Sequence, residues 1–86
     1  MPTISAFYGI VIAMFFNDHD PPHFHAQYAE YRARFAIATG DQLDGDLPAR
    51  AARLVKRWTE LHRQELEENW SLARRLHRLE PIAPLP

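Results

Sequence analysis

The apolar residues of this chain change their period once. From Phe7 to Leu47 they alternate with polar residues or run in short unbroken stretches, and from Pro48 onward they recur every three or four positions. The first pattern predicts strands and the second predicts helix. The chain therefore reads as α+β: a small antiparallel sheet of three or four strands, followed by one long or two short helices packed on one face.

The first strand is expected over Tyr8–Phe16, with Ile10, Ile12, Met14 and Phe16 on one side and Val11, Ala13 and Phe15 on the other. Apolar residues on both sides imply burial on both. One helical layer covers only one of them, so a second copy of the chain or a partner protein is expected to cover the other. Prolines 21 and 22 forbid helix in the segment that follows and favour a stiff extended turn. A second strand is expected over His23–Tyr28 and a third over Tyr31–Ala38, joined at Ala29-Glu30. This register sets Phe24 against Phe35, Ala26 against Ala33 and Tyr28 against Tyr31 on one side. On the other side it sets His25 against Arg34 and Gln27 against Arg32, with His23 beside them. A slip of one residue would mix the two sides. Arg32 and Arg34 are thus expected to be exposed, and Phe24 and Phe35 buried. Gln42–Leu47 is a candidate edge strand weakened by Gly45.

Pro48 suits a first helical position, and Asp46 before it favours the positive helix end. Ala51, Leu54, Val55, Trp58, Leu61, Leu66, Trp70, Ala73 and Leu76 then keep helical spacing. A run to about residue 78 is long for a globular helix, so either one helix forms or two form with a break near His62–Glu65. Residues 1–80 read as one domain. The Pro-rich tail, residues 81–86, reads as extended.

Composition narrows the function classes. The 86 residues carry a formal charge of −1, so no global field recruits nucleic acid, and any such role must rest on a local patch. There is no cysteine, which excludes disulfides and thiolate metal sites. The longest apolar stretch, Ala6–Phe16, is shorter than the ~20 residues of a membrane span. No Lys or Arg precedes Arg32, against a secretory signal. The expected setting is cytoplasmic, with no membrane association.

The chemistry concentrates in Asn17–Ala26. His19, His23 and His25 fall close together, flanked by Asp18 and Asp20. Strand alternation points His23 and His25 the same way, and both are expected on the face away from the helices with His19 close by. Three readings stand. His23 and His25 act as acid/base catalysts or phosphate ligands; or His19, His23 and His25 bind a divalent transition metal; or the segment is a rigid turn whose histidines are structural. Arg32 and Arg34 beside the histidines suit a phosphodiester, because arginine binds phosphate in a bidentate fashion; the alternative is a solvated face with Arg34 near Glu30 or Asp44. On the helical stretch, His62, Glu65 and Asn69 share the stripe of Trp58. They form either a structural network or a site that His62 shares with the loop histidines.

The segments Ile4-Ser5-x-Phe7-Tyr8-Gly9-Ile10, Asn17-Asp18-His19-x-Pro21-Pro22-His23-Phe24-His25-Ala26, Glu60-Leu61-His62-Arg63-x-Glu65-Leu66 and Asn69-Trp70-x-Leu72-Ala73 resemble the small bacterial domain of unknown function 4160 over nearly the whole chain. Ala29 stands where many members carry Gly, and the tail is longer than usual. The family has no settled activity. The resemblance implies one half of a two-gene cassette similar to a toxin–antitoxin pair, with a small cognate partner protein. The label of transcriptional regulator that some members carry finds no helix-turn-helix here.

The expected function is accordingly a toxin-like component acting on a phosphate-bearing, RNA-like substrate. His23 and His25 would be catalytic, and Arg32 and Arg34 would hold the phosphate. The alternatives are a partner-binding module without catalysis, as a homodimer or hetero-complex, and a metal-binding protein using His19, His23 and His25.

Overall fold

A computed structural model describes residues 2–86. The strands are β1 (Thr3–Phe7), β2 (Ile10–Ala13), β3 (His23–Tyr28), β4 (Tyr31–Ala36) and β5 (Gln42–Asp46), followed by the helices α1 (Ala49–Leu61) and α2 (Arg63–Arg74). The strands form one antiparallel meander in the order β1-β2-β3-β4-β5. The fold is α+β as expected, with a larger sheet than the sequence reading gave.

The extra strand comes from a correction to the expected Tyr8–Phe16 strand. Tyr8 and Gly9 take φ of +50° and +81°, the paired positive values of a tight hairpin turn. They fold the apolar run back on itself, pairing Phe7 with Ile10 and Ala6 with Val11. The third strand stops at Ala36, because residues 37–39 turn the chain toward β5.

The β3–β4 register is the expected one, with Phe24 against Phe35, His25 against Arg34, Ala26 against Ala33, Gln27 against Arg32 and Tyr28 against Tyr31. Phe24 and Phe35 are buried and stack at 5.8 Å between ring centroids. Ile10, Ile12, Val55, Trp58 and Leu66 belong to the same fully buried core. The helix is broken at His62, where φ of −123° leaves the helical region, so there are two short helices. Neither is long and apolar enough to cross a membrane.

Residues 77–86 form neither helix nor strand, yet they are packed. Ile82 and Leu85 are buried in the common core. The Ile82 N–H donates to the Ile4 carbonyl (2.8 Å), and the Trp58 indole N–H donates to the Ala83 carbonyl (2.9 Å).

Gly45 holds β5 close to β4. Its φ is +95°, and a Cβ there would lie 2.4 Å from the Arg32 carbonyl oxygen and 2.5 Å from the Ala33 Cα. Gly45→Ala is expected to cost roughly 1–2 kcal/mol through backbone strain and to loosen β5. Amide hydrogen exchange should show lost protection over Gln42–Asp46. Unchanged protection there would contradict this account.

Candidate functional site

The segment between β2 and β3 is tied down at several points. The Met14 N–H donates to the Pro2 carbonyl, the Asn17 N–H to the Ala73 carbonyl at the end of α2, and the Ile37 N–H to the Pro22 carbonyl. Arg74 reaches Asp20 at 3.1 Å. The loop therefore presents its side chains from a fixed backbone.

At its centre is Asp18, which the sequence reading treated only as a flanking acid. Its Oδ1 accepts from the His19 backbone N–H (2.9 Å) and lies 2.7 Å from His19 Nδ1. Its Oδ2 lies 3.0 Å from His23 Nε2 and 3.4 Å from His25 Nε2. One oxygen thus orders the loop while the other faces two imidazoles. Ligand atoms of Asp18, His23 and His25 all lie within 4.8 Å of one another. Burial alone would raise the Asp18 pKa, but the hydrogen bonds from the His19 side chain and backbone and from His25 outweigh it, and the carboxyl is held well below the usual range. Burial lowers the His25 pKa; the contact with Asp18 opposes this shift, and His23 and Arg34 add to it. Near neutral pH the site therefore holds an ionised carboxylate beside a neutral His25.

The placement expected for His23 is corrected. His23 is 1% exposed, because the imidazole packs against Trp70 of α2 (5.3 Å between centroids). Its Nδ1 donates to the Pro21 carbonyl (2.7 Å). The expected cluster nevertheless forms, with the His19 and His23 rings 5.5 Å apart and the His23 and His25 rings 5.2 Å apart. His19 lies at its outer edge, on the far oxygen of Asp18, with its side chain 72% exposed.

His25 also borders a groove of about 200 Å³ on the outer sheet face, lined by Phe15, Gln27, Arg32, Arg34 and Asp44 among others, with no helical residue. Phe15 packs edge-on against the His25 ring at 4.6 Å. Arg32 is exposed. Arg34 is half-buried, and its Nε donates to both carboxylate oxygens of Asp44 at 3.1 and 3.0 Å. This contact raises the Arg34 pKa and lowers that of Asp44, so each favours the charged form of the other. Of the two expected partners for Arg34, Asp44 is the one it meets.

The helical residues take no part. His62 pairs with Glu65 and packs against Trp58. Asn69 bonds both backbone groups of Glu80. Asp18 was legible only as an acid next to histidines, because nothing in strand periodicity brings a loop carboxylate back over β3.

No curated protein and no solved structure matches the chain. The family model described as a domain of unknown function, DUF4160, matches residues 9–71. That match takes in all of the site-bearing loop, β3, β4 and most of both helices, and the chain belongs to this family.

Proposed function

We propose that the outer sheet face binds a phosphate-bearing, RNA-like substrate, and that the protein is the toxin-like component of a cytoplasmic two-gene module regulated by a small partner protein. The observation that supports this reading is the pairing of His25 with Arg34 and Gln27 with Arg32 across a groove that no helix covers. Arg32 supplies an exposed cation. Arg34 is already splayed to hold a carboxylate, and a phosphate that displaced Asp44 would meet the same fork of donors. His25, neutral and partly exposed, is the acid/base group. The catalytic role first expected of His23 passes to positioning, since its side chain is fully buried.

Binding of a labelled single-stranded RNA, followed by fluorescence anisotropy over a salt series, tests the proposal. Arg32→Ala and Arg34→Ala should each weaken binding and reduce the slope of log K against log salt by about 0.7. Asp44→Asn, which frees Arg34, should tighten binding. No binding at low salt, or binding indifferent to all three changes, would sink the reading.

A further inference from the structure

Three observations about His23 and its neighbours converge. First, Nδ1 of His23 faces a carbonyl oxygen at 2.7 Å. A carbonyl only accepts, so Nδ1 carries the proton, and in the neutral ring Nε2 presents a lone pair. Second, that Nε2 is buried without a hydrogen-bond partner, although Asp18 Oδ2 stands only 3.0 Å away. A bare nitrogen and a carboxylate oxygen at this separation repel unless a cation lies between them. A second proton on Nε2 would supply one, but the contact lacks hydrogen-bond geometry. Third, His25 Nε2 approaches the same Oδ2 at 3.4 Å, long for a hydrogen bond.

These distances suit a shared ion. Bonds of about 2.0–2.2 Å to nitrogen and oxygen in a tetrahedral site place neighbouring ligand atoms roughly 3.3–3.5 Å apart. The contacts of 3.0 and 3.4 Å approach that spacing. The supporting contacts are also those of a metal centre. The distal nitrogen of His23 is fixed by a backbone carbonyl, the usual way a ligand imidazole is oriented. The second oxygen of Asp18 is held by His19, leaving Oδ2 for the ion.

We propose that Asp18, His23 and His25 form a binding site for one divalent transition-metal ion, with zinc as the fitting class for a sulfur-free set of two nitrogens and one oxygen. The metal set first drawn from the sequence was His19, His23 and His25; Asp18 replaces His19, which orders the site through the other carboxylate oxygen. The side chains are 0%, 20% and 32% exposed for His23, Asp18 and His25, so the site opens on one side. Three protein ligands and an open position are the arrangement of catalytic rather than structural zinc. With an ion bound, His25 would serve as a ligand instead of an acid/base group, and the ion would supply Lewis acidity at the open position. The metal site stands independently of the phosphate reading.

The test is titration of untagged, chelator-stripped protein with Zn²⁺ by calorimetry and with Co²⁺ by visible absorption. The expected result is one ion per chain and a Co²⁺ spectrum of low coordination number. Asp18→Asn and His25→Ala, both at partly exposed positions, should each weaken Zn²⁺ binding at least 100-fold with the circular dichroism spectrum retained. His19→Ala should weaken it by about 10–100-fold, as for a supporting contact. His23→Ala removes a buried ring and should destabilise the fold as well as the site. Absence of stoichiometric binding in the wild type would overturn the proposal, as would wild-type affinity in both Asp18→Asn and His25→Ala. Metal binding without RNA binding would overturn only the phosphate reading, and RNA binding without metal would overturn only this one.

Discussion

Trp58→Ala is expected to cost about 3–5 kcal/mol, the range for truncating a buried tryptophan. Trp58 is fully buried. Its ring lies 5.3 Å from Phe7 on β1, 5.6 Å from Phe24 on β3 and 5.7 Å from His62 at the helix break. Its indole N–H reaches the Ala83 carbonyl. A single side chain of α1 therefore joins an edge strand, a central strand, the helix break and the packed segment after α2. Alanine leaves a cavity against all of them and an unpaired carbonyl. In a domain of this size each kcal/mol moves the melting temperature by roughly 4–8 °C, so a fall of at least about 12 °C is expected by thermal circular dichroism. Trp58→Phe keeps most of the apolar contact and loses the indole donor, and should cost about 1–3 kcal/mol. A loss under about 1 kcal/mol for Trp58→Ala would mean that the ring is not the keystone described here.

The second large effect is expected at Asn69. This side chain is 1% exposed. Its Oδ1 accepts from the Glu80 N–H at 2.9 Å, and its Nδ2 donates to the Glu80 carbonyl at 2.8 Å. Asn69 thus satisfies a donor and an acceptor of a segment that has no ladder of its own. Asn69→Ala strips both groups of their partner, each at about 1–3 kcal/mol, and a total near 3–4 kcal/mol is expected. Asn69→Asp keeps the acceptor but turns a carboxylate toward a carbonyl, so it should not rescue. Hydrogen exchange should rise first over residues 79–85. Equal stability of Asn69→Ala and wild type would contradict the clamp.

The sequence made some of this arrangement legible and hid the rest. The β3–β4 pairing could be read because Phe24, Ala26, Phe35 and Ala33 alternate strictly with His25, Gln27, Arg34 and Arg32, so that a slip of one residue would mix the two groups, and the turn at Ala29-Glu30 sets the rest. The first hairpin was hidden by its own apolarity. Tyr8-Gly9 sits inside a run in which the residues on both sides are hydrophobic, and a turn without Asn or Asp gives little signal. The clustering of the three histidines followed from spacing alone. The burial of His23 did not, because it depends on its packing against Trp70, nearly fifty residues later in the sequence. The role of Asp18 was likewise out of reach, since a loop's path is set by anchors such as the Asn17–Ala73 bond. Asn69 looked like one more polar group on a helical stripe, and its partner, a backbone, leaves no mark in sequence.

The bond from Ile82 to Ile4 joins segments from opposite ends of the described residues, and it orders events during synthesis. The hairpin of β1 and β2 is made first, but the residues that cap its outer strand and close over Trp58 are translated only after both helices. Contacts so distant along the chain form slowly. A nascent chain extending through α2 alone would have its sheet registered and its core open along one side. Chaperones would meet that open side before they met the finished fold.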